Sequence, residues 1–166
     1  MKTLLELCDR DIGLKNKKVG IWKKRSAVRC VLFRNNQVAL LNVQKENYHK
    51  LPGGGIEDGE ELESALHREV AEEVGSKIRI GKILGRIIEY KSKHELVQNS
   101  ICFLAKEISS GKTDFTQDEI DDGFKVEWYS LRDAINVLKK DSPKDYTGKF
   151  IVRRDVRFLE EAMNIT

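Results

Sequence analysis

Apolar and polar positions fall along this chain as short strand-like runs interrupted by one long amphipathic segment. Residues 27–33 (AVRCVLF) and 38–43 (VALLNV) are apolar and rich in β-branched side chains, and the polar residues 34–37 between them read as a hairpin turn. Residues 60–74 (EELESALHREVAEEV) carry Leu62, Ala65, Leu66, Val70 and Val74 in one broad stripe with helical spacing, and Gly75 ends the pattern. Two further strands are predicted at 78–90, where Gly81 and Gly85 mark bulge or turn points, and at 98–108, joined by a polar turn near 91–95. A polar loop over 109–123 leads to a short strand at 125–129. Helices at 131–139, begun by a capping Ser130, and at 150–163 close the chain. Strands with helices on either side predict the α/β class, as an α/β/α sandwich with a mixed sheet.

The central helix departs from a simple core-facing pattern. At about 100° per residue, Glu69 and Glu73 project close to Leu62 and Leu66, and Glu72 lies beside them, so the apolar face turns acidic towards its C-terminal end. Like charges at this spacing repel, and negative charge opposes the dipole at a helix C-terminus, so the arrangement suggests a compensating cation. Repulsion also implies that neutralising Glu73 leaves folding intact or improves it. A site of carboxylate oxygens favours Mg²⁺ or Mn²⁺ over zinc. Just ahead of the helix, LPGGGIEDGE packs Pro52, Gly53, Gly54, Gly55 and Gly59 into a segment that can approach a ligand closely.

Taken together, Gly54, Glu60, Arg68-Glu69-Val70, Glu72-Glu73 and Gly75 follow the spacing G-x5-E-x7-R-E-U-x-E-E-x-G-U, with U a bulky aliphatic residue. This closely resembles the Nudix box; Ser76 is the one departure, where the pattern has an aliphatic. The resemblance implies the same α/β/α sandwich, a single Nudix hydrolase domain over 1–166 with 1–25 as an N-terminal extension, and a glycine loop and catalytic helix over 53–76. It implies that the Gly53 carbonyl and the carboxylates of Glu69, Glu72 and Glu73 bind metal, that Arg68 orients the glutamates, and that Glu60 is mainly structural. A box glutamate or a distant loop acid serves as general base in such proteins. Here the loop offers Asp118, Glu119, Asp121 and Asp122, with Glu119 and Asp122 the favoured pair.

The implied reaction is Mg²⁺-dependent hydrolysis of a phosphoanhydride in a nucleoside diphosphate linked to another group. The compact length leans towards a nucleoside triphosphate, oxidised forms included. ADP-ribose is the close alternative, and a non-catalytic nucleotide or RNA sensor is the other class. The box reads only diphosphate and metal, so the substrate stays open at this stage.

Bulk properties change this picture little. A length of 166 residues suits one domain, and 34% charged with 40% hydrophobic residues is an ordinary globular composition. A net charge of +3 neither demands nor excludes a polyanionic partner. Cys8, Cys30 and Cys102 are dispersed without a C-x-x-C pair, which fits a reducing cytoplasm, and no signal peptide or membrane span is expected. Lys15, Lys17, Lys18, Lys23, Lys24 and Arg25 surround Trp22, and a solvated basic arm is favoured there over a nucleic-acid contact. His49, His67 and His94 lack metal-ligand spacing, and Tyr48, Tyr90, Phe103 and Trp128 read as core rather than base-stacking rings. Oligomeric state is open, a homodimer included.

Overall fold

The apolar runs form the strands of one mixed seven-stranded sheet in the computed structural model, which describes residues 1–165. Residue 166, the last of the expected domain, lies outside the described residues. The strands are β1 (Thr3–Cys8), β2 (Lys23–Arg34), β3 (Gln37–Val43), β4 (Tyr48–Lys50), β5 (Ser76–Lys91), β6 (Leu96–Ser110) and β7 (Phe124–Ser130). The helices are α1 (Leu62–Val74), α2 (Gln117–Asp121), α3 (Leu131–Lys140) and α4 (Tyr146–Met163). Pairing runs β1-β5-β6-β2-β3-β4, with β7 also on β3. The β1/β5 and β2/β6 pairs are parallel and the others antiparallel.

Side chains alternate between the faces of a strand, and β2 shows how this builds two cores. Val28, Cys30 and Leu32 pack with Ala65, Leu66, Val70 and Val74 of α1 on one face. Val31 turns to the other, where Ile87 and Cys102 meet Leu138 of α3 and Phe150, Phe158 and Leu159 of α4. The expected α/β/α sandwich is therefore the observed arrangement.

Element edges differ from the sequence reading in informative ways. Residues 3–8, expected as part of an extension, form edge strand β1 in register with β5, so this segment belongs to the sheet. α1 starts at Leu62 rather than 60, with Glu61 as its extended N-cap, and the Glu60 carboxylate is engaged by the Glu57 N–H and by Arg68. α4 starts at Tyr146, four residues before the expected 150; Asp145 caps it by accepting from the Gly148 N–H at 3.0 Å. The helix tolerates Gly148 because a Cβ there would sit 2.7 Å from the Tyr48 ring, which packs against it. β4 and α2 are too short for periodicity to reveal, at three and five residues. The expected irregularities at Gly81 and Gly85 coincide with register shifts between β5 and β6.

Candidate active site

The glycine segment runs antiparallel beside the first half of β2, on the edge that β3 leaves open. Val28 and Cys30 donate to the Gly54 and Pro52 carbonyls at 3.0 and 3.1 Å, and Ile56 donates to Ser26 at 3.1 Å. Residues 53 and 55 therefore face α1: the Gly53 N–H donates to Glu73 Oε2 at 2.7 Å, and the Gly55 carbonyl accepts from Arg68 at 3.1 Å. Gly53 has φ +127°, and a Cβ on it would lie 2.2 Å from the Val28 carbonyl oxygen. A Cβ on Gly54 would lie 2.2 Å from both Glu69 carboxylate oxygens. The loop thus touches backbone on one side and a carboxylate on the other, which side chains would prevent.

Arg68 gathers the acids of α1. It grips Glu60 with Nε at 3.0 Å and Nη2 at 2.9 Å, and its Nη1 donates to Glu69 at 2.9 Å and to Glu72 at 3.4 Å. The Glu60 hydrogen bonds, foremost, hold the guanidinium protonated even more firmly than usual, and the same contact draws the Glu60 carboxyl below the usual carboxylate range. Glu73 is buried and takes Lys50 Nζ at 2.7 Å. Burial raises its pKa against the opposing pull of Lys50, the Gly53 N–H and Arg29. Lys50 and Arg68 thus each pair with a carboxylate of the acidic cluster.

On the α4 face the inward parity of three strands turns from apolar to charged. Arg29 precedes Val31 in this register, Glu89 and Lys91 follow Ile87, and Gln98 and Ser100 precede Cys102, all of them buried. Glu89 accepts from Gln98 at 2.9 Å and Ser100 at 2.9 Å, and pairs with Lys91 at 3.0 Å and Arg154 at 3.5 Å. Burial alone would raise its pKa; Arg154 and Lys91 outweigh this and bring it down to about 2. Asp155 holds Arg154 at 2.7 Å and accepts the Leu51 N–H at 2.8 Å, just ahead of the glycine segment. Between these groups and the acids of α1 lies a cavity of about 320 Å³, lined by Gly53, Gly54, Glu69 and Glu73 together with Arg25, Arg29, Lys50, Lys91 and Arg154.

The family model for the NUDIX domain matches residues 23–149. The chain belongs to the NUDIX family of hydrolases. Diphosphoinositol polyphosphate phosphohydrolase 2 of Rattus norvegicus is 34% identical over 126 residues, which cover 74% of this chain and 66% of that protein. The chain thus spans just under two thirds of the length of such curated relatives. A NUDIX hydrolase from Nitrosomonas europaea superposes with a TM-score of 0.64 at 17% identity, covering 86% of this chain and 90% of its own. An ADP-ribose pyrophosphatase from Streptococcus suis 89-1591 gives 0.54 at 17% identity, covering 86% and 94%. At that identity the two structures bear on the fold alone.

Within this Nudix domain the structure brings Gly53, Arg68, Glu69 and Glu73 together, with half-buried Glu72 at the edge of the Arg68 contacts. Their oxygens fit a hard divalent cation, and glycine at 54 lets the Glu69 carboxylate lie against the loop where a Cβ would collide with it. Among the described residues no three His, Cys, Asp or Glu side chains converge as a metal cage, and Arg68 and Lys50 pair with Glu69 and Glu73. Glu119 lines the cavity and caps α2 through Thr116, whereas Asp122 pairs with Lys45 at 2.8 Å and is not among the lining residues. Ser76, the departure from the box, is buried and donates to Glu107 at 2.6 Å; Glu107 in turn binds Arg34, so a polar contact replaces the aliphatic one. Reading 27–33 as a plain apolar run missed Arg29; a charge at inward strand parity was the available signal. The same signal marked Glu89, whereas Lys91 fell in the turn expected near 91–95 and is instead the last residue of β5. Among the described residues no helix is long and apolar enough to cross a membrane.

Proposed function

We propose that this Nudix chain is a divalent-metal-dependent pyrophosphohydrolase acting on a compact, heavily phosphorylated substrate of the diphosphoinositol polyphosphate kind. The observation that carries this reading is the cavity lining, which holds five cationic side chains and no aromatic ring. A nucleobase calls for an apolar or aromatic surface, whereas clustered phosphates call for Arg and Lys. The names of the relatives at 34% identity point the same way. A nucleoside triphosphate or ADP-ribose takes second place. Retention of Arg68 with all three box acids weighs against a silent sensor.

Mg²⁺ or Mn²⁺, when bound, offsets phosphate charge and makes an attacking water more acidic. Glu69, Glu73 and the Gly53 carbonyl would hold it, with Glu72 joining from the edge. Arg68 fixes the directions of Glu69 and Glu72, and Lys50 holds the buried carboxylate of Glu73. Glu119, the loop acid that shares the cavity, is our assignment for taking the proton from water at its carboxylate. Three thiols free of disulfides support a reducing cytoplasmic setting.

The test is a substrate panel with Mg²⁺, containing a diphosphoinositol polyphosphate, nucleoside triphosphates and ADP-ribose, with products identified by mass and phosphorus NMR. Orthophosphate release from the inositol compound should dominate, stop in EDTA and return with Mg²⁺ or Mn²⁺. Glu119→Gln should lose roughly two to four orders of magnitude in kcat, while Asp122→Asn stays within severalfold. Faster release of a nucleoside monophosphate would move the substrate to nucleotides, and full turnover in EDTA would defeat the metal role.

A further inference from the structure

Strand β2 carries a buried cation that its own partners leave uncompensated. Arg29 is 6% exposed, and its side-chain hydrogen bond among the described residues runs from Nη1 to the Val28 carbonyl at 3.0 Å. Nε has no partner. The acids nearby are engaged elsewhere: Glu73 with Lys50, Glu89 with Lys91 and Arg154, and Asp155 with Arg154 and the Leu51 N–H. Among the described residues none of them lies within ion-pair distance of Arg29. A guanidinium stays charged in proteins, and an unpaired charge in the interior is costly.

Arg29 is nonetheless open to the cavity that it lines together with Lys91, Arg25 and the glycine loop. Lys91 is buried with one carboxylate shared between it and Arg154, and Arg25 lies over Gly55, where a Cβ would come within 2.6 Å of its Nη2. We infer that Arg29 is the receptor for a substrate phosphate, its unbonded Nη2 donating to a phosphate oxygen while Lys91 and Arg25 supply further positive charge. This subsite selects polyphosphorylated molecules over those with a single diphosphate, and in that respect it rests on the substrate reading above. A planar guanidinium with free donors matches a tetrahedral oxyanion, and the bond it makes is charge-assisted. The arrangement also accounts for the cost of burial: the cation is held ready for a ligand that neutralises it.

The experiment titrates the whole chain with inositol hexakisphosphate in EDTA, by calorimetry, and compares Arg29→Met and Arg29→Lys. Arg29→Met should weaken binding by about ten- to hundredfold, the loss of a charged hydrogen bond, with Arg29→Lys in between. Its thermal midpoint without anion should rise, because an unpaired buried charge is gone, whereas loss of a merely structural arginine would lower it. Equal affinity of Arg29→Met and wild type overturns the inference. So does a wild-type midpoint that hexakisphosphate fails to raise, a measurement that needs no variant. Arg29-dependent binding without hydrolysis of diphosphoinositol polyphosphates would uphold the subsite and remove the substrate reading. Hydrolysis with an unchanged KM in Arg29→Met would uphold the substrate reading and remove the subsite.

Discussion

A carboxylate carried into the interior needs a cation, and Glu73 takes Lys50 at 2.7 Å together with the Gly53 N–H at 2.7 Å. Repulsion along the helix, read from spacing alone, makes Glu73→Gln neutral or stabilising. The structure adds two opposing contributions: burial disfavours the charged carboxylate, while Lys50 and the Gly53 N–H favour it. The net shift of the Glu73 pKa is upward, so the ionised carboxylate is disfavoured in the fold and Glu73→Gln should leave stability unchanged or raise it, with the loss of charge beside Lys50 as the opposing contribution. Urea unfolding monitored by tryptophan fluorescence measures this. Turnover should fall at least about a hundredfold, because the charge that holds metal is removed. An unchanged kcat would take Glu73 out of the chemistry, and a lowered unfolding midpoint would mean that the Lys50 pair outweighs burial and repulsion.

The glycine loop and the short strand before it act as elements whose positions depend on contacts at both edges. Gly53→Ala adds a Cβ 2.2 Å from a backbone oxygen at positive φ, which neither side can relieve by moving a side chain. Strain and overpacking together should cost roughly 2–5 kcal/mol. Gly54→Ala meets the far end of Glu69 instead, so the carboxylate can swing away. That variant should keep its stability and lose about a hundredfold in kcat, as expected when a catalytic group is displaced by about an ångström. Thermal melts and kinetics on the pair separate the two costs. Strand β4 is tied to β7 and to the end of α3 through His49, whose ring nitrogens lie 3.0 Å from Asp141 and 3.3 Å from Glu127. Burial lowers the pKa of the imidazole, but the two acids outweigh it, and the net shift is upward. A group with a raised folded pKa stabilises fully below its unfolded value of about 6.5 and loses that contribution as pH rises through the folded one. The melting temperature should therefore decline from near neutral pH upward, and His49→Gln should flatten that slope. A wild-type melt that is level over this interval would rule the clamp out.

Across the whole molecule, Arg154 joins α4 to β5 through Glu89 and, through Asp155, to Leu51 beside the glycine loop. Arg154→Met leaves Glu89 and Asp155 short of a buried partner, and the penalty for breaking such a pair is about 3–5 kcal/mol. Equilibrium urea unfolding should show it, and a stable variant would mean that Lys91 suffices. The sequence alone determined much of this protein. The spacing of Arg68, Glu69, Glu72 and Glu73 fixes the acidic helix, because neighbours on a helix surface are set by local geometry. The alternation in β2, β3 and β6 marks strands, and apolar stripes on three helices place them on two faces of a sheet. What the tertiary structure decided depends on residues far apart in the chain. β1 becomes a strand only because β5 lies beside it, and Lys50 becomes the partner of Glu73 only when β4 reaches α1. Arg29 in an apolar run, Glu89 and Lys91 after Ile87, and Arg154 inside an amphipathic helix look unrelated in sequence. Parity sends the three strand residues to the face that α4 covers, and burial there removes the water that would otherwise have solvated them. Their charges then have only one another, and the cavity, to answer to.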